Sequence, residues 1–441
     1  MTPMQTAIKS NQQEDTRLFS NLEFDGKRLS HQPGSVLGST ALIAGTTVGA
    51  GILALPAVTL PSGVVPSTVL LIAVWLYTLV SGLLIAEASV NTMRLAGRAS
   101  VGMLAMIENT LGFMGVRIAG GTYLLLHYAL LVAYTTQGGE ILGSAIAKVL
   151  GVQNTVPAWV GTTVFTLLFG GIMYFGRDKF VEKLNSVFVA IVLASFLGLL
   201  LLAGGQVKTT QFLFQNWSAV GSAVSVMSVA LFYHNIVPVV VTQLEGDTHK
   251  IRQSLFIGSV IPLIMFLAWN AVILGSVSPE IMQNTGNGRI FDPLQLLRSG
   301  GAGEWLGVLV SIFSEFAIAT SFIGFVYGLL DFFQEIFLAT KVEFSSRLPL
   351  YSMILLPPMS FGVINPKIFF TALDYVGTFN ISVLGGIIPA LMIWKQRKGQ
   401  ENSNKIYQQL VPGGQVTLTV IICLALAIIG KQIWSTIIRN S

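Results

Sequence analysis

Charge is scarce in this chain: Asp, Glu, Lys and Arg make up 10% of its 441 residues and apolar residues 53%, against roughly 25% and 45–50% in soluble domains. So little charge cannot cover a surface of this size in water, so most of the chain must be solvated by lipid, and an electrostatic nucleic-acid partner is excluded. Cysteine is all but absent. Cys423 stands alone, which rules out an internal disulfide, a Cys-x-x-Cys pair and a cysteine-rich metal centre. The four histidines, His31, His127, His234 and His249, form no His-Glu-x-x-His set. Neither a Gly-x-Ser-x-Gly elbow nor a Walker A loop occurs, which removes the usual signatures of a hydrolase and of direct ATP use. The charged rings and filter loops of a channel are missing as well. No enzyme and no cofactor are expected.

What is present is a series of apolar runs. At about 20 residues per crossing, eleven fit: 34–60, 66–88, 117–147, 157–175, 184–205, 219–243, 254–277, 304–338, 349–364, 374–395 and 413–437. An odd number puts the two ends of the chain on opposite sides of the membrane. With residues 1–33 read as a flexible cytosolic tail, 18 of the 25 Lys and Arg fall on the cytoplasmic side, among them Arg94, Arg98, Arg177, Lys183, Lys395 and Arg397. That bias orients the N-terminus inward and the C-terminus outward. Residues 34–437 then form one transmembrane domain. The longest outer segment, 278–303, holds the turn formers Asn284, Gly286, Asn287 and Gly288 and is the candidate lid.

Two of the runs are interrupted. From Gly45 to Pro56 the first reads Gly-Thr-Thr-Val-Gly-Ala-Gly-Ile-Leu-Ala-Leu-Pro, with glycines and a proline where a membrane helix needs steady side chains. From Val229 to Pro238 the sixth reads Val-Ala-Leu-Phe-Tyr-His-Asn-Ile-Val-Pro. Freed N–H and C=O groups cannot face lipid, so such breaks line a cavity or are buried in protein. For the first break alone, a glycine seam for close helix packing is the competing reading. An offset of five spans inverts the second break relative to the first, and paired breaks in oppositely oriented halves point to a transporter's midplane site.

Gly49-Ala50-Gly51 in the first break, Leu231-Phe232-Tyr233-His234-Asn235-Ile236-Val237-Pro238 in the second, and Ala317-Ile318-Ala319-Thr320-Ser321-Phe322 in the eighth segment together resemble the hydroxy and aromatic amino acid permease family. Its best-known members are tyrosine- and tryptophan-type permeases, within the amino acid–polyamine–organocation superfamily. The resemblance runs from about residue 34 onward. It implies an all-α polytopic fold of eleven helices, with two inverted five-helix repeats of leucine-transporter type at about 34–205 and 219–395, an extra helix at 413–437, and helices one and six broken around the substrate. It also implies ion-coupled symport of an amino acid, aromatic by family default, in a plasma or inner membrane. A permease for small hydroxy amino acids, and a sensor or channel without coupled transport, are the alternatives. Nothing in the sequence speaks to oligomeric state.

A broken helix suits a free amino acid, because it offers N–H groups and positive dipole where it restarts and carbonyls where it stops. Gly49, Ala50, Gly51 and Ile52 are accordingly assigned to the carboxylate through their N–H groups, and Thr46, Thr47 and the Leu231 and Phe232 carbonyls to the amine. Phe232 and Tyr233 are candidates for an aromatic gate, with core packing as the alternative. A Cβ at 49 or 51 would hold the carboxylate off, so Gly51→Val is expected to abolish transport and leave the fold intact.

The resemblance further implies a sodium site made of the Thr320 and Ser321 hydroxyls with the Ala317, Gly45 and Val48 carbonyls. Tight packing of the small-residue face Ser314, Ala317, Thr320, Ser321, Gly324 and Gly328 competes with it. If the coupling ion is a proton, His234, Lys183 and Glu140 are the candidates for its path. His234 is also placed with Tyr233 among the substrate-binding residues; plain hydrogen bonding is its simpler reading, as a positive-inside residue and an interfacial acid are those of Lys183 and Glu140. His127 and Tyr134, seven apart, share a face of segment three, and Glu315 is a further intramembrane acid.

Overall fold

The computed structural model describes residues 22–24, 29–31, 34–49, 51–97, 102–150, 156–205, 207–276, 304–340, 346–401 and 408–440. The candidate lid at 278–303 lies outside the described residues. Helices dominate and follow the apolar runs. Strands β1 (Leu22–Phe24) and β2 (Leu29–His31) pair antiparallel, Leu22 opposite His31. The stretch expected to be a flexible tail therefore contains two paired strands.

The first run splits into α1 (Val36–Thr47) and α2 (Gly51–Thr59), whose axes differ by 53°. Then come α3 (Val64–Ala96), α4 (Met103–Leu150), α5 (Ala158–Phe175) and α6 (Asp178–Gly204). Helix α4 starts well ahead of the expected span because an extra helical piece precedes it, bent at Gly112, whose φ of 75° is open to glycine. The sixth run divides into α7 (Val224–Ala230) and α8 (Val237–Gln243), and α9 (Thr248–Ser276), α10 (Glu304–Thr340) and α11 (Leu348–Ile364) follow. The tenth run begins as α12 (Phe369–Tyr375), passes through two π-helical stretches, Val376–Asn380 and Val383–Ile387, and ends as α13 (Ile388–Glu401). Helix α14 (Gly414–Asn440) closes the order.

Among the described residues, nine helical spans are long and apolar enough to cross a membrane, and ten if the bent α1–α2 pair counts as one. Helix α11, at the place of the ninth expected segment, is apolar but has only 17 residues. Burial orders the bundle. The span Val224–Gln243 and the span Phe369–Gly399 are each 72% buried, and Gly414–Ile438 only 17%, so the second break and the π-helical run are central and α14 is peripheral.

Prolines inside helices create a backbone debt that other helices settle. Pro56 in α2 has no N–H for the carbonyl of Ile52, four residues earlier. The buried indole of Trp269 on α9 donates to that carbonyl at 3.1 Å. Pro357 in α11 leaves the Met353 carbonyl without its usual donor, and the Tyr128 hydroxyl on α4 supplies one at 2.8 Å. At the C-terminal end of α3, the buried Glu87 carboxylate takes Nε and Nη2 of Arg397 at 2.9 Å each. It also accepts the N–H of Leu410 at 2.8 Å. Arg252 at the start of α9 reaches the carbonyls of Gln409 and Leu410, so one short segment ties α3, α9 and α13 together.

Tyr128→Phe removes only the hydroxyl that meets Met353. The expected cost is about 1 kcal/mol for the lost hydrogen bond at a half-buried carbonyl, read as a lowered midpoint of thermal unfolding in detergent. An unchanged midpoint would show that the proline-freed carbonyl does not depend on Tyr128.

Candidate functional site

At the first break the helical ladder of α1 ends with Val48 N–H donating to Ala44 C=O at 2.9 Å, and the chain re-enters a helix with Ile52 N–H donating to Gly49 C=O at 3.2 Å. Ala50 lies outside the described residues. Thr46 and Thr47 both donate back to their own helix, to Leu42 and Ile43 carbonyls at 2.8 and 2.7 Å. Thr47 is buried, whereas Thr46 and Gly45 are exposed, so of the two threonines only Thr47 is turned into the protein.

At the second break Phe232 N–H turns back to Val229 C=O at 3.2 Å, and a short 3-10 turn, His234–Ile236, leads into α8. Pro238 in its first turn needs no donor there. The two breaks touch. A Cβ built on Gly51 would stand 2.7 Å from Ala230 Cα, and one on Gly49 would stand 2.5 Å from Ser321 Oγ. The first break is therefore wedged between the second break and α10, and on the side of Ala230 only glycine permits the approach. This corrects the reason given for Gly51: the space a side chain would need is held by the backbone of Ala230, so its substitution strains the packing itself.

On α10, Thr320 and Ser321 both donate to the Ala317 carbonyl at 3.0 and 2.9 Å. Of the expected cation set, Ala317, Thr320 and Ser321 are joined within α10, and Ser321 alone is placed against Gly49, next in sequence to Val48. A Cβ on Gly45 would meet nothing within 4 Å. One turn beyond Ser321, the Phe325 ring packs against both His127 and Tyr134, with centroids at 5.0 and 5.6 Å, so these two do share a face. His127 Nδ1 lies 2.9 Å from the Tyr123 carbonyl.

The rings of Phe232 and His234 stack at 4.8 Å, and Tyr233 donates to the Thr78 carbonyl on α3 at 3.3 Å. Leu231, Tyr233 and His234 are fully buried and Phe232 half-buried. A Cβ on Gly385 would lie 3.5 Å from both His234 Nε2 and Phe232 Cε2, which sets the second π-helical stretch against the break. Ser81 on α3 donates to the Gly385 carbonyl. Sequence reasoning missed Ser81, Phe325 and this stretch. Its signal was the pair Gly385-Gly386 inside an apolar run. Lys183, at the start of α6, and Glu140, on α4, are exposed and make none of the contacts that join the breaks. Glu315 is half-buried on α10.

With that geometry in place, the profile of the Tryptophan/tyrosine permease family matches residues 32–432. The chain belongs to this family. It is a family of membrane transport proteins, not of enzymes. Tyrosine-specific transport system 1 of Haemophilus influenzae is 28% identical over 400 residues, which are 89% of this chain and 95% of that protein. Tryptophan-specific transport protein of Pseudomonas aeruginosa is 27% identical over 379 residues, 82% of this permease and 87% of its own length. The crystal structure of MhsT in complex with L-phenylalanine shares the fold, with a TM-score of 0.59 at 16% identity, covering 90% of this chain and 100% of MhsT.

Gly51→Ala is expected to cost about 1–3 kcal/mol, as overpacking against backbone does. Gly49→Ala meets only a movable hydroxyl and should cost less. Thermal unfolding of the two purified variants checks the order, and equal midpoints would dissolve the contact between the breaks.

Proposed function

We propose that this permease is a secondary active transporter that carries aromatic amino acids of the tyrosine and tryptophan kind, coupled to a proton or a sodium ion. In this reading eleven spans form two inverted five-helix repeats and an added helix, with the N-terminus cytoplasmic and the C-terminus on the opposite side. The observation that carries it is the contact of Gly51 with Ala230, which brings the restart of one interrupted helix against the end of another. The N–H groups at the start of α2 suit a carboxylate and the carbonyls beyond α7 suit an ammonium. The Phe232–His234 stack and the Phe325 cluster with Tyr134 and His127 supply aromatic surface nearby. Relatives named for tyrosine and tryptophan, and a shared fold with a protein that holds L-phenylalanine, agree with an aromatic substrate. The Ser321 hydroxyl beside Gly49, with Thr320 next to it on α10, would serve a sodium ion.

Uptake of labelled tyrosine, tryptophan, phenylalanine and serine into proteoliposomes, under proton and sodium gradients imposed separately, tests the reading. Accumulation of tyrosine or tryptophan under one of the gradients is expected. Accumulation of serine alone would move the substrate to the small hydroxy amino acids, and none at all under either gradient would remove transport.

A further inference from the structure

Buried polar side chains normally find partners, and each one that does not calls for an explanation. His234 is fully buried, and neither Nδ1 nor Nε2 has a hydrogen-bond partner among the described residues. Two more such atoms lie in the same region: Asn235 Oδ1, on the next residue, and Tyr77 Oη, on α3 and packed against Gly386. Tyr77 and His234 thus abut consecutive glycines of the second π-helical stretch, a form of helix that recurs at functional sites.

The enclosure limits what these atoms can serve. An imidazole with no exposed surface has no room beside it for an amino acid, and a small hard cation takes oxygen ligands in preference to nitrogen. A proton needs no room, and imidazole is the side chain that ordinarily changes charge near neutral pH. No fixed charge competes. The 3-10 turn of His234 and helix α8 pack against α1 and α3. Helix α1 carries no titratable side chain, and neither do α7 or the π-helical stretches. On α3 the titratable groups are Tyr77, Glu87 held by Arg397, and the exposed Arg94. On the break itself Tyr233 is committed to Thr78.

We propose that His234 is the residue that takes up and releases the coupled proton. The lone pair of its neutral ring accepts H⁺ from water when the break is open to one side of the membrane, and the same N–H bond gives it up to water on the other. Because the ring stacks on Phe232 and faces Gly385, its charge acts on the second break and on the tenth helix together. The proposal rests on the permease reading and adds to it which group carries the ion.

The test uses the full-length protein in proteoliposomes with a pH-sensitive dye inside. Parent protein should acidify the lumen as tyrosine enters under a proton gradient, and whatever transport His234→Gln retains should proceed without proton movement. Proton movement that persists in the variant would overturn the proposal. Should the variant be silent, the ¹⁵N-histidine spectrum of parent protein in detergent decides, its four imidazoles assigned by single replacements. The His234 signal is expected to change protonation state as the bulk pH is lowered and to shift when tyrosine is added, and a signal indifferent to both would overturn the assignment. Tyrosine accumulation driven by sodium without proton movement would overturn this proposal and leave the permease reading standing. No accumulation under either gradient would overturn both.

Discussion

Hydrocarbon offers no hydrogen bonds, and the whole arrangement answers to that constraint. Where Pro56 and Pro357 interrupt a helical ladder, each leaves a carbonyl that another part of the protein satisfies. Trp269 meets Ile52, Tyr128 meets Met353 and Ser81 meets Gly385. Each donor sits on a different helix from its acceptor, so the same bonds that make an interruption tolerable also fix which helices are neighbours. Irregular backbone and tertiary packing are here one problem with one set of answers.

The glycines solve a second problem, that of distance. Backbone carries the groups that recognise a zwitterion, and backbone can approach backbone only where no Cβ intervenes. Gly51 against Ala230 and Gly49 against Ser321 bring two interrupted helices and the hydroxyl face of α10 to one place. A ligand or ion there would be held by the chain itself more than by long side chains.

Much of this was legible in the sequence, because a lipid-spanning run and a glycine–proline interruption are local patterns. The helices follow the apolar runs, and both interruptions fall where Gly45–Pro56 and Val229–Pro238 place them. The paired strands at 22–24 and 29–31 escaped notice because the stretch around them is polar. The early start of α4 escaped because helix and span are different things, and a helix can begin before it reaches the apolar part. The π-helical stretches have no local signature beyond a glycine pair. The inverted offset and the family resemblance paired the two breaks, but which residues meet was out of reach. Nothing near Gly51 announces Ala230, and nothing near Lys183 or Glu140 says that both face outward.

The ion pair of Glu87 with Arg397 joins residues 310 positions apart, and that separation bears on how the protein is made. The ribosome completes α3 long before it reaches Arg397, Leu410 or Val411. During that interval the carboxylate at the end of α3 has none of the partners it will finally bind, and it must be sheltered by water, by headgroups or by the insertion machinery. The first half of the chain therefore leaves synthesis with an unanswered acid. The late helices do not append to a finished bundle; their arrival closes it.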